Sequence, residues 1–575
     1  MNIFSHFSQQ ITMITDQLVQ NGMISLSGEA RPAACEPPRD PSHGDLSTNY
    51  AMVMAKLAGM SPRDLAGLLV KDIAALDGVE DVTIAGPGFI NLTLNPAMWQ
   101  DRIDDILIAG SNWGANQLGK GEHINVEYVS ANPTGPLHAA HARGAIVGDS
   151  LANLLETCGY HVTREYYIND AGNQVDVLAR SVFTRYKQAL GDKTAEVTEG
   201  QYPGEYLKDT AAKLVSLYDD SLLHMDEERW LPLIRQFAIN DMMLSIKADL
   251  DRLGIHMDRF SSEYELVENG AVHAAIDMLA EKGLIYQGVL EKPKAEQAED
   301  WEPREQMLFR STDFGDDVDR AVKKSDGTWT YFASDVAYHL DKIKRGSDKL
   351  INIWGADHGG YVKRMKSAVS AFTGKKDSLN IQLVQLVKLM DGGQQVKMSK
   401  RAGTFVTLSD VLDAVGRDIL RFIMLTRRAD QTMDFDYAEV TTQSRENPVF
   451  YVQYAHARAS SVLRQDEAKQ IDLTNADLGL LTDASEIALI RQLASYPRQV
   501  EAAGQAFEPH RIAFYLMELA ASFHGLWNKG RDNASLRFIT DDPKRTAARL
   551  KLVHATGIVI RNGFAILGVE AIEEM

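Results

Sequence analysis

Apolar residues near the start of the chain recur at three- and four-residue spacing. The stretch "DVTIAGPGFINLTL" then alternates apolar and polar positions around Gly86, Pro87 and Gly88. The first pattern predicts amphipathic helices and the second a strand, a turn and a strand, so residues 1–110 are expected to form a small α+β domain. "GANQLGKGE" reads as a linker. After it, "HINVEYV" predicts a strand, a Gly/Pro loop follows, a helix is expected from about Ala142 to Cys158 with Gly159 as its stop, and "HVTREYYIND" predicts a second strand. Strand, loop, helix and strand form a βαβ unit, the opening of a doubly wound nucleotide-binding fold.

Residues 175–255 carry a helical period, and an insertion of helical character is expected over about 175–300. Within it "YQGVLEKPKAEQAEDWEPREQMLF" is charged and contains proline, which predicts an exposed hairpin or loop. "TWTYFASDVAYHLDKI" and "KLINIWGADHGGYVKRMKSAV" restore the strand-and-helix rhythm, so the α/β domain is expected to span 111–440. From Ser409 onward the period is helical, and 441–575 should be an all-α bundle. The expected fold class is α/β, a Rossmann-type domain flanked by an α+β N-terminal domain and a C-terminal helical bundle.

At 575 residues the chain exceeds what one core supports. Its 45% hydrophobic and 24% charged residues are those of an ordinary globular protein. Cys35 and Cys158 are its two cysteines, too few for a disulfide framework or a cysteine-rich zinc site, so a cytoplasmic location is expected. "MNIFSHFSQQITMITDQL" lacks the basic head and apolar run of a secretory signal, and no uncharged apolar stretch of about 18 residues predicts a membrane span. The net charge of −19 argues against nonspecific coating of DNA. Between residues 361 and 403, however, nine Lys/Arg face two Asp, so an acidic body still offers a basic stretch to a polyanion.

The chemistry concentrates in two segments. "PTGPLHAAHARGA", Pro133 to Ala145, puts His138 and His141 three apart. Such a pair can hold a metal, serve two unrelated structural needs, or meet a phosphate. No glutamate follows His138, as the zinc-protease pattern requires. The loop follows a strand, contains Gly135 and Pro136, and opens a helix, whose free N–H groups and dipole favour phosphate. "GGQQVKMSKRAGTFVTL" sets Lys397, Lys400 and Arg401 around Met398 and Ser399, cations suited to a leaving pyrophosphate or, equally, to a solvated basic loop.

Together, in this order, the H-x-x-H and K-M-S-K-R segments resemble a class I aminoacyl-tRNA synthetase. "NVEYVSANPTGPLHAAHARGAIVGD", "MDRFSSEYEL", "TYFASDVAYHLDK", "WGADHGGYVKR" and "FYVQYAHARASSVLR" are similar to arginyl-tRNA synthetases, as are "HGDLSTNYAM" and "GPGFINL", so the resemblance spans essentially the whole chain. It implies formation of arginyl-adenylate from arginine and ATP and transfer of the arginyl group to the 3′ end of tRNA(Arg). It also implies an N-terminal domain at the tRNA elbow and an anticodon-reading bundle. His138, His141, Lys397 and Lys400 would then be catalytic. Gly135, Pro136, His138, Ala140, His141, Gly355, Asp357, His358, Met398, Ser399 and Lys400 would bind ATP, with Mg2+ as its counter-ion. Arginine needs planar carboxylate acceptors and an aromatic face. Tyr331 and Asp335 share one face if their segment is helical. The resemblance assigns both to the substrate side chain, adds Glu263 as a second carboxylate, and puts Glu127 and Asn132 near the α-amino group. Tyr451, Tyr454, His456, Arg458, Trp527 and Asn528 mix aromatics and cations in the bundle, as base readers and helix cores both do. No structural metal, no DNA partner and no membrane contact are expected, and the chain is expected to be a monomer. The segment reads H-A-A-H where the family usually has glycine before the second histidine, and "GVEAIEEM" departs from the family's usual ending. Another class I synthetase would lack the paired acids. A noncatalytic tRNA-binding relative would have lost a motif histidine or lysine, and none is lost here.

Overall fold

The computed structural model describes residues 2–290, 304–396, 406–442, 444 and 446–575. They divide into two compact units. One holds 117–443 with 567–569, and the other holds 1–116, 444–566 and 570–575.

The first unit is built on a five-stranded sheet. Its order is Leu379–Val384, Lys349–Gly355, His123–Glu127, His161–Ile168, Arg259–Ser262, with every neighbouring pair parallel. The strand earliest in sequence, His123–Glu127, lies in the middle and pairs with Lys349–Gly355 on one side and His161–Ile168 on the other. Successive connections therefore leave its two sides in opposite directions. That is a doubly wound sheet, and ligands of such sheets bind where the order reverses, beyond the carboxyl ends of the strands.

The helix after the first strand runs from Ala139 to Thr157, three residues earlier than its apolar period predicts. His138 caps it, so the two histidines open the helix instead of preceding it. Gly148 lets this helix lie against Tyr128, since a Cβ there would overlap the buried Tyr128 ring. The stretch expected as one helical insertion is more varied. Helices Asn173–Ala189, Tyr206–Tyr218 and Glu227–Arg252 share a core in which Phe183 and Trp230 stack at 3.9 Å. Arg259–Ser262 then returns to the main sheet, too short a strand to carry a period of its own. Ile285–Gly288, Gln306–Phe309 and Arg320–Lys323 form a small antiparallel sheet, with the intervening 291–303 outside the described residues.

In the second unit the N-terminal residues form a three-stranded antiparallel sheet, in the order Leu46–Thr48, Phe89–Leu94, Val79–Ala85, beside helices Ile3–Gln20 and Pro62–Ile73. The C-terminal residues form helices Pro448–Arg464, Ala484–Ala506, His510–Asp532 and Pro543–Leu567. The two ends of the chain bond to each other here. Trp113 Nε1 donates to Leu493 O at 3.3 Å, Gln100 Nε2 to Leu481 O at 3.0 Å, and Asn562 Nδ2 to Gly110 O at 2.9 Å. Pro543–Leu567 is long and apolar enough to cross a bilayer, but 78% of that window is buried, as a core helix requires. The acidic ending bends back onto its own bundle. Ile572 O accepts from His456 Nδ1 at 2.8 Å, and Glu573 O accepts from Arg464 at 3.0 Å.

Gly148→Ala should destabilise the unit built on the five-stranded sheet by about 1–3 kcal/mol, because the added methyl forces the helix away from the Tyr128 ring. Differential scanning calorimetry should show an earlier unfolding transition; an unchanged transition would mean the helix has room to move.

Candidate active site

Both central strands end at one cavity of about 780 Å³. The loop after the first strand contributes Asn132, Gly135, Pro136, His138, Ala140 and His141. The loop after Lys349–Gly355 contributes Gly355, Asp357 and His358. All the nucleotide residues expected from sequence that fall among the described residues thus line one space. Met398, Ser399 and the two lysines Lys397 and Lys400 lie outside the described residues.

The backbone sets this loop under strain. Val129 and Ser130 have φ of 69° and 40°, left-handed values that a β-branched residue rarely adopts. Ser130 Oγ compensates by donating to Glu127 Oε1 at 3.0 Å and accepting the Tyr167 N–H at 3.1 Å. Further along, His141 Nδ1 accepts the His138 backbone N–H at 3.2 Å, and the two imidazoles stack at 3.7 Å. A ring nitrogen that accepts carries no proton, so the neutral His141 tautomer holds its proton on Nε2. The loop is also tied to the residues that follow the lysine segment. Ala139 N donates to Val406 O at 3.2 Å, and Leu408 N to Leu137 O at 2.8 Å. Buried Arg143, on the same helix, donates to Gln385 O, Arg428 O and Gln431 O and so holds the 384–386 wall of the cavity. From the insertion, Tyr206 Oη donates to Thr134 O at 2.6 Å, and Gln174 accepts from Asn132 Nδ2 at 2.8 Å.

Glu127, Glu263, Tyr331 and Asp335 do not line that cavity. They gather beside it, on helix Tyr331–Lys344 and at the ends of the first and third strands. Tyr331, at the first helical position, is 64% exposed, while Glu263 is 5% exposed. Tyr361 Oη donates to Asp335 Oδ2 at 2.6 Å. Burial, with Glu127 and Glu263 as like charges, pushes the Asp335 carboxyl up to about 7 against the donation from Tyr361. Burial likewise raises Glu263 to about 7, with Asp170 adding to it and a bond from Ser334 opposing. Two carboxyls that ionise reluctantly, with exposed Tyr331 four residues before Asp335 on the same helix, suit a cation that brings its own charge.

Glu127 is differently placed. Its Oε2 receives Lys342 Nζ at 2.6 Å, and both side chains are buried. Lys342 also donates to Asn352 Oδ1 at 3.3 Å; Asn352 Nδ2 lies 2.9 Å from His339 Nε2, and His339 Nδ1 lies 2.7 Å from Asp335 O. Sequence reasoning missed Lys342, Tyr361, Arg143, Tyr206 and Gln174. Lys342 had a usable signal, since seven residues after Asp335 puts it on the same helical face. In the bundle, Arg458 lies over Tyr454 at 4.0 Å and Trp527 at 4.8 Å, whereas His456 is a buried core residue. Among the described residues no group of three or more His, Cys, Asp or Glu has the geometry to hold a metal ion.

Ionised Asp335 is a liability in the free chain, and this has a pH sign. Its folded carboxyl binds protons more tightly than the unfolded one, so stability present below about 4 is lost as pH rises through about 7. Asp335→Asn should therefore stabilise the free protein on the order of 1–2 kcal/mol above pH 7, after discounting for its partial exposure, and hardly at all near pH 4. Thermal midpoints across that range test it; a gain independent of pH would contradict the assignment.

Family models match the chain in three segments: an arginyl tRNA synthetase N terminal domain at residues 6–94, a class I (R) tRNA synthetase catalytic domain at 102–444, and a DALR anticodon binding domain at 452–575. The chain is 55% identical to an arginine–tRNA ligase of Parvibaculum lavamentivorans and 54% identical to one of Cereibacter sphaeroides, in each case over 100% of both chains. The fold is similar to the solved Thermus thermophilus arginyl-tRNA synthetase, with a TM-score of 0.75 at 20% identity over 100% of both chains.

Proposed function

The chain belongs to the arginyl-tRNA synthetases of class I, and we propose that its histidine loop and acid cluster divide the chemistry of that family between them. The reaction is arginine–tRNA ligation. The carboxylate of arginine attacks the α-phosphorus of ATP and displaces diphosphate. A ribose hydroxyl at the 3′ end of tRNA then attacks the carbonyl of the adenylate and displaces AMP.

The division of labour rests chiefly on two half-sites that meet at the reversal of the sheet. One is a helix start with two imidazoles; the other is a pair of desolvated carboxyls with an exposed tyrosine on the helix of one of them. His138, the Nε2–H of His141 and the positive end of the helix dipole hold the triphosphate and stabilise charge as it builds during displacement. Gly135, Pro136 and Ala140 shape the loop around the nucleotide, and Gly355, Asp357 and His358 lie against the adenosine. Gly135 fits closely, because a Cβ there would stand 3.0 Å from Tyr206 Oη and the tyrosine would have to give way by a few tenths of an ångström. Lys397 and Lys400, with Met398 and Ser399, act on the leaving diphosphate by their residue type and order. Mg2+ enters with the triphosphate, since among the described residues Asp357 is the one carboxylate lining the cavity.

Asp335 and Glu263 take the guanidinium, and Tyr331 covers its flat face. Glu127 and Asn132 face the α-amino group; each Glu127 oxygen keeps a second lone pair beyond its bond to Lys342 or Ser130. The N-terminal module meets the tRNA elbow and the bundle the anticodon, with exposed Tyr454 beside half-buried Arg458 and Trp527 as its aromatic and cationic group. We place the enzyme in the cytoplasm as a monomer.

Aminoacylation of total tRNA with each of the twenty amino acids tests the reading. Arginine alone should be charged; charging of another amino acid in its place would overturn it. His141→Ala should lower the rate of adenylate formation by about 10²–10³ and weaken ATP binding much less, because the imidazole acts mainly on charge that develops in the transition state. Unchanged turnover would remove that role. Asp335→Asn should raise the arginine KM roughly tenfold or more with little change for ATP, as loss of a charge-assisted bond implies. In the unaltered enzyme the arginine KM should rise as pH falls below about 7, where Asp335 and Glu263 take up protons and lose the charge that holds the guanidinium. A flat profile from pH 6 to 8 would contradict this.

A further inference from the structure

Tyr167 is the penultimate residue of the strand His161–Ile168, next to the acid cluster, and its side chain has no part in the proposed chemistry. The residue is 7% exposed and its ring stacks on Tyr338 at 4.2 Å. Tyr338 lies three residues after Asp335 on the same helix, and Tyr167 pairs in register with Ser261, two residues before Glu263. The ring is thus held from both sides on which the two carboxyls stand. Its hydroxyl is enclosed and finds no hydrogen-bond partner among the described residues. Buried hydroxyls are rarely left so, because the lost hydration is not replaced.

We propose that Tyr167 is a further specificity-determining residue of the arginine pocket, its hydroxyl unpaired in the free chain and hydrogen-bonded within the guanidinium–carboxylate cluster once arginine is bound. The inference rests on the reading of Asp335 and Glu263 as the guanidinium acceptors. A guanidinium presents five N–H donors in one plane. Asp335 already accepts from Tyr361 on one oxygen, and Glu263 is engaged by Ser334, so part of the accepting capacity of the two carboxyls is used before arginine arrives, and a further acceptor beside them can take one of the five N–H groups. A neutral phenol can do this and donate as well: its oxygen accepts an N–H, and its O–H donates a hydrogen bond to a carboxylate that arginine has charged. The surrounding carboxyls of Asp335, Glu263, Glu127 and Asp170, together with burial, keep the phenol protonated and so fit for this. Lysine's compact ammonium has no donor plane to complete, and the hydroxyl would stay unpaired in a lysine complex.

Tyr167→Phe in the full-length enzyme tests this, because it removes one oxygen and keeps the stacked ring. In the free protein the thermal midpoint should be unchanged or raised, since an unpaired polar atom is lost. The arginine KM should rise about tenfold or more while the ATP KM and the turnover at saturating arginine stay near their normal values, and the rise in midpoint that arginine induces should shrink. An unchanged arginine KM overturns the proposal. So does a lowered free-protein midpoint with arginine and ATP constants shifted together, which would mark a packing role. Asp335→Asn run in parallel separates the two levels. If it raises the arginine KM and Tyr167→Phe does not, the pocket stands and Tyr167 is no part of it. If neither variant moves the arginine KM, the pocket assignment falls as well.

Discussion

Lys342 and Glu127 form an ion pair with both side chains buried, directly beneath the point where the sheet reverses. Removing one partner of such a pair leaves a bare charge in the interior, at a cost of about 3–5 kcal/mol. The pair therefore fixes its surroundings. Through Ser130 it steadies the strained turn at Val129 and Ser130 that aims the histidine loop. Through Asn352 and His339 it reaches the backbone of Asp335. Burial and the nearby Lys342 hold His339 neutral, down at about 3, which suits a ring that bridges two hydrogen bonds without adding charge. One lysine thus joins the histidine loop to the acid cluster.

The remaining acids show the opposite treatment. Glu127 has its cation built in, whereas Asp335 and Glu263 are left desolvated, with proton affinities raised toward neutrality. The free chain tolerates a destabilised patch, which in the proposed function a guanidinium relieves on binding. A site of this kind discriminates strongly, because a ligand that lacks the planar donors leaves buried acceptors unmatched. The histidine loop is built on another principle, with an imidazole donor at one helix start held in place by Arg143 and Tyr206.

Local pattern made much of this legible. The strand before the histidine loop, the helix after it and the parallel second strand follow from period and turn residues alone, and they put His138 and His141 at the carboxyl end of a strand. The helix start was misjudged by three residues because Ala139 and Ala140 carry no period, and only the cap geometry of His138 marks it. Arg259–Ser262 was hidden because four residues cannot declare an alternation. The roles of Lys342, Tyr361 and Tyr167 depend on partners brought together across distant segments, which no window of sequence contains. Glu127 shows the same limit, since the family resemblance implies a substrate contact while its strongest partner lies 215 residues away.

If arginine binding recharges Asp335 and Glu263, it must expel protons. Calorimetric titration of the enzyme with arginine near pH 7, in buffers of different ionisation enthalpy, reads this number directly. The account predicts net proton release that is greatest just below pH 7 and fades toward pH 8.5, where both carboxyls are already ionised. Binding with no proton release at pH 6.5, or with proton uptake, would mean that the guanidinium is held elsewhere.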